Sequence, residues 1–126
     1  MRMIQDDLRR YIEAQTQIEA YPLFVPESVQ LPAIAYTLED AGRNVGSEQY
    51  KTSVSDHTYT VQVCDNRFDS VKNIAQKVID LFDGKGFTHE QTEVLTSQVT
   101  SVSDATNHDL DLYFRIITFT LIVREA

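Results

Sequence analysis

The chain has 126 residues, 42% of them hydrophobic and 24% charged, proportions that support one folded core and exclude a disordered or fibrous chain. Nineteen acidic residues against eleven basic ones give a formal charge of −8, which repels phosphate backbones and anionic lipid and argues against a nucleic-acid or membrane-surface ligand. A single cysteine, Cys64, cannot form an intrachain disulfide, and the acidic opening lacks the apolar run of an export signal, so a cytoplasmic protein is expected.

The first element is a helix over residues 4–18. Ile4, Leu8, Tyr11, Ile12 and Ile18 recur at helical spacing, which places them on one face, and Asp6 and Asp7 suit the positive end of the helix dipole. Tyr21-Pro22 follows its end. Residues 26–32 hold two of the three prolines and read as a connector, because each proline removes a backbone donor. Residues 32–38 then alternate, with Ile34, Tyr36 and Leu38 on one face of a first strand.

From Glu39 to Thr52 the chain is polar, and within it Gly42, Arg43, Asn44, Val45, Gly46, Ser47, Glu48, Gln49 and Tyr50 have little to bury. A flexible arm is expected at 42–52, and these nine residues are its candidate interface with a neighbouring molecule. A second strand over 53–64 ends in a clear alternation of Tyr59, Val61 and Val63 with Thr58, Thr60 and Gln62.

Helix two is the best-marked element. Phe68, Val71, Ile74, Ala75, Val78, Ile79 and Phe82 trace one stripe over about four turns. Asn66 stands at the N-cap with Asp69 three residues on, and Gly84 at the position of a left-handed C-terminal residue. Residues 92–102 form a half-exposed, Thr- and Ser-rich strand whose edge is open to a subunit contact. A turn at 104–109 leads to a long strand over 110–124. There the apolar phase shifts from Leu112, Phe114 and Ile116 to Ile117, Phe119 and Leu121, which predicts a bend near Ile116. The fold class expected is α+β: one domain over residues 1–126, with a mainly antiparallel sheet of about four strands covered by two helices, in the order α-β-β-α-β-β.

The titratable residues point to no catalytic, cofactor or metal site. Cys64 and His57 share a strand at a separation of roughly 23 Å, which rules out a dyad. Cys64 with His108 stays open, although a lone strand cysteine is more often a small buried hydrophobe. Asp104, His108, Asp109 and Asp111 suit a turn better than a cation site, and no second histidine-rich segment completes a zinc set. Neither glycine-bearing stretch has the spacing of a phosphate loop. His89 has no partner recognisable in the sequence.

The chain resembles the tail terminator, or tail completion, family of long-tailed bacteriophages. The resemblance rests on the opening amphipathic helix, on Leu31-Pro32-Ala33-Ile34-Ala35-Tyr36 as a proline-led strand, and on Tyr59-Thr60-Val61-Gln62-Val63-Cys64-Asp65 entering helix two. The closing run Arg115-Ile116-Ile117-Thr118-Phe119-Thr120-Leu121-Ile122-Val123 completes it. It implies a non-enzymatic virion protein, assembled in the host cytoplasm, that forms a homohexameric ring at the head-proximal end of the tail tube. Its implied partners are further copies of itself, the tail tube protein and a head-tail connector protein, with no cofactor, no membrane and no sequence-specific nucleic acid. A head-closure protein of the same virion is the alternative within that class. A small oligomeric enzyme using Cys64, His108 and Asp109 from different subunits is the alternative outside it.

Overall fold

The computed structural model describes residues 4–24, 30–43, 54–89 and 92–124. The chain folds as α1 (Ile4–Thr16), β1 (Ala20–Pro22), β2 (Ala33–Arg43), β3 (Val54–Asp65), α2 (Phe68–Phe82), β4 (Phe87–His89), β5 (Thr92–Asn107) and β6 (Leu112–Arg124). The expected four-stranded α-β-β-α-β-β arrangement is therefore corrected to a mostly β, six-stranded mixed sheet that forms a half-barrel with two helices. Strand order is β1-β2-β3-β6-β5-β4, with β1 parallel to β2 and every other neighbour antiparallel.

The two missed strands are three residues each, too short to display a period of two. Proline is tolerated in β1 because it closes a short edge strand, where a missing donor breaks no central ladder. The other four strands match the sequence reading, with different ends. β2 runs on through Asp40, Ala41, Gly42 and Arg43, paired to Thr58, His57, Asp56 and Ser55 of β3. Of the expected arm, Gly42 and Arg43 thus belong to a strand, and the remainder, Asn44 to Tyr50 included, lies outside the described residues.

Burial of one face explains the sheet. Tyr59, Val61 and Val63 of β3, Ile117, Phe119, Leu121 and Val123 of β6, and Ile34 and Tyr36 of β2 share one core with Leu8 and Ile12 of α1 and with Val71, Ile74, Ala75, Val78 and Phe82 of α2. The aromatic rings tie four elements together: Phe82 stacks on Phe119 at 4.1 Å between centroids, Tyr11 stacks on Phe87 at 4.0 Å, and Phe82 meets Phe87 edge-on at 5.8 Å. Contacts of this kind contribute about 0.5–1.5 kcal/mol each beyond area burial. Buried Asp7, only 2% exposed, accepts a hydrogen bond from the Thr92 hydroxyl and so links α1 to the start of β5.

The bend expected near Ile116 does not occur. β6 pairs with β3 in unbroken register from Tyr113 to Arg124, and the register shifts lie in β5, between Val94 and Thr96 and between Val99 and Ser101, and in β2, between Leu38 and Asp40. The apolar phase changes because the helical cover ends, so Tyr113 and Arg115 occupy core-facing rows beyond it, beside the exposed Phe68 that opens α2. The expected N-cap is also corrected. Arg67 occupies that position without a side-chain cap bond, while Asp65 uses its carboxylate to accept the Asn66 N–H at 2.7 Å. Gly84 does adopt the left-handed conformation, at φ +73°.

Candidate functional site

Alternation carries each titratable side chain of β3 to a definite face. Ser55 and His57 fall on the helix-covered face with Tyr59, and the Ser55 hydroxyl lies 2.9 Å from His57 Nε2. Strand parity alone places the two residues on one face, and both are buried, Ser55 at 5% and His57 at 8% exposed. Asp56 belongs to the opposite row. Cys64 also lies in that opposite row, cross-strand from Ala33 and Phe114, and is 1% exposed. Burial, with a smaller contribution from Asp65, pushes its thiol up to about 11, so at neutral pH it is protonated and a poor nucleophile.

The acidic and histidine residues near the hairpin are held apart. Asp104 lies within β5, not in a turn, because the ladder continues to Asn107 opposite Leu112. Its carboxylate accepts two bonds from Arg115, from Nε at 2.7 Å and from Nη2 at 3.0 Å, and this pairing holds Asp104 below the usual carboxylate range. The turn is His108 to Asp111, in which Asp111 takes φ +52° and Asn107 accepts the Leu110 N–H at 3.3 Å. Ala105 and Cys64 flank Phe114 in one row. His108, three residues past Ala105, is thus separated from Cys64 by two strand spacings and roughly 10 Å along the sheet. Among the described residues, no group of three or more His, Cys, Asp or Glu side chains is placed to hold a metal ion.

Two of the depressions in the described surface bear on this question. One, about 10 Å³ and lined by Asp7, Leu8, Phe87, His89, Thr92 and Val94 among others, has room for about a single water. His89 Nε2 is buried there without a hydrogen-bond partner among the described residues. The other is an open groove of about 300 Å³ along β5, bordered by Asp83, Gly84, Thr96, Ser97, Gln98 and Thr120. Neither brings together a nucleophile, a base and an oxyanion donor.

The sheet face away from the helices has a different chemistry. Its central rows pair Thr58 with Thr120, hydroxyl to hydroxyl at 3.1 Å, and Thr60 with Thr118 at 3.3 Å. Gln62 and Ile116 continue the rows on one side. These central rows are half-buried and hydroxyl-rich, suited to contact and not to covalent chemistry.

No protein-family model matches this chain, and no curated protein does. Solved structures do match, 29 chains in all. One belongs to the virion of a native gene transfer agent particle. Its TM-score is 0.66 at 14% sequence identity, with 97% of this chain and 92% of that chain covered. The likeness is one of fold, and it extends over nearly the whole of both chains. Among the described residues, no helix is long and apolar enough to cross a membrane.

Proposed function

We propose that this protein is a structural virion component, a tail terminator that forms a homohexameric ring at the head-proximal end of the tail tube, stops tube polymerisation and joins tail to head. The observation that carries the reading is the fold shared, across 97% of this chain, with a chain of a gene transfer agent virion. That likeness supports a virion protein; the terminator role within the virion rests on the sequence resemblance.

The buried, protonated Cys64 counts against the hidden-site enzyme, which would use Cys64, His108 and Asp109 from different subunits and would need a thiolate. The partners proposed are other copies of the chain, the tail tube protein and the head-tail connector protein. Residues 44–52 belong to the proposal as an arm that orders against a neighbour, so their deletion should abolish ring formation and leave the monomer folded.

The test is native mass spectrometry followed by capping assays. A particle of six 14.4 kDa chains that binds isolated tail tube ends supports the terminator. Binding to the portal or its adaptor, and not to tube ends, would transfer the protein to the head-closure role.

A further inference from the structure

The sheet ends in two unlike edges, each only partly covered by the described residues. On one side β1 pairs with Ile34, Ala35 and Tyr36 of β2, and the Leu23 N–H extends that contact by donating to the Tyr36 carbonyl at 2.8 Å. From Thr37 to Arg43, the outer edge of β2 has no strand beside it among the described residues. On the other side β4 pairs with Thr92, Glu93 and Val94 of β5. The chain leaving α2 covers the next stretch, where the Gly84 N–H donates to the Ser97 carbonyl at 2.7 Å and the Val99 N–H donates to the Asp83 carboxylate at 3.3 Å. Beyond that cover, Ser101 to Asn107 is paired to β6 on its inner side, has no strand on its outer side among the described residues, and is exposed at every residue.

Open edges of this length are usually blunted by proline or by lysine. Neither stretch contains either residue; the single charge on the β5 stretch, Asp104, is already held by Arg115, while the β2 stretch carries Glu39, Asp40 and Arg43 and one register shift between Leu38 and Asp40. The β5 bulges precede Ser101, so its register with β6 is regular from there on.

We propose that these two edges are the two halves of one subunit interface, in which Ser101 to Asn107 of one copy pairs with Thr37 to Arg43 of the next. The inference rests on the ring reading and names the surfaces that close the ring. Strand sense supports it: three successive antiparallel pairings make β5 run opposite to β2. Copies related by rotation about an axis along the strands keep those directions, so β5 of one copy meets β2 of the next in antiparallel sense. Thr37 shares a row with Thr60, Thr118 and Ser101, and the two open stretches extend from that row in opposite directions. Their pairing therefore needs a stagger between copies, which closure of tilted strands imposes in any case.

A separate observation points to the same surfaces. The two most exposed large apolar residues described, Leu23 at 65% and Phe24 at 67%, lie where β1 stops and the β2 edge opens, and Val102, 46% exposed, lies on the β5 stretch. Apolar side chains gathered at unpaired edges mark a surface that is covered in the assembly.

The experiment uses Ala41→Cys and Ser103→Cys, singly and together, in the full chain, treated with a short bis-maleimide and read on denaturing gels beside native mass spectra. The expected result is a ladder of linked chains reaching six in the double variant, with neither the single variants nor the wild-type chain linked. Dimers from Ser103→Cys alone would mean that β5 pairs with β5 about a two-fold axis, which overturns the proposal. A hexamer in the native spectrum without a ladder would overturn it too, and leave the ring reading intact. Absence of any oligomer, with or without tail tubes, would remove the ring reading and this inference with it.

Discussion

Tyr59 is enclosed on every side, stacked near Phe119 with centroids 6.1 Å apart, and its hydroxyl has no hydrogen-bond partner among the described residues. Burial drives its proton affinity well above the ordinary tyrosine value. Tyr59→Phe keeps the ring and removes the orphaned group, so it should raise stability by about 1 kcal/mol, seen as a higher urea midpoint at unchanged slope. Cys64 gives a second residue-level test. Its thiol, raised to about 11 mainly by burial, should resist iodoacetamide at pH 8 in the folded protein and react quickly once unfolded. Because the fold favours the neutral thiol, its contribution to stability is complete below the unfolded-state value near 9 and is lost as pH rises through 11, so denaturation midpoints should fall across that window. At this scale strand parity made much of the sheet legible: Tyr59, Val61 and Val63 do face the core. What parity could not supply was the depth of each position; the reading of Cys64 as a small buried hydrophobe came from its residue type, and at 1% exposed it is buried.

Elements were legible in proportion to their length. Helix α2 was read at both bounds because seven apolar residues keep one stripe for four turns, and no strand pairing competes for them. β1 and β4 were invisible because three residues carry no period; their strand character comes from partners far along the chain, Ile34–Tyr36 for β1 and Thr92–Val94 for β4. The one bend was placed in β6, whereas the register shifts lie in β2 and β5; the apolar neighbours Val94-Leu95 break alternation and could have signalled the first bulge of β5. Gly86 shows what that bulge demands. A Cβ there would come within 2.4 Å of the Leu95 carbonyl oxygen and 2.9 Å of that of Val94, and backbone cannot yield as a side chain can. Gly86→Ala should therefore cost about 1–3 kcal/mol through forced backbone movement. At Gly84 a Cβ would meet open space, and only the positive φ opposes it, so Gly84→Ala should cost nearer 1 kcal/mol. Thermal melts of the two variants, with Gly86→Ala the lower, check the order.

For the whole molecule, the sequence conveyed the number of long elements and the single core, but not the balance of the fold. Four long strands and two helices suggested an even α+β layering, whereas the edge strands and the extended β2 and β5 make the sheet dominant. One consequence of the strand order concerns time instead of space. β6 lies at the centre of the sheet, between β3 and β5, yet it follows all the other strands in sequence; Thr58 and Thr120, whose hydroxyls meet, are 62 positions apart. As the chain emerges from the ribosome, β3 and β5 have no ladder with each other, and both wait for the strand that separates them. Pairings of such separation form slowly. A chain halted after residue 111 should thus remain open to protease while the full chain is protected, even though the α2 segment is present in both. Equal resistance of the two would show that the sheet can close without its central strand. Until translation passes Leu112, the long faces of β3 and β5 are bare, and that interval, more than any property of the finished subunit, is when the protein is most exposed to misassociation.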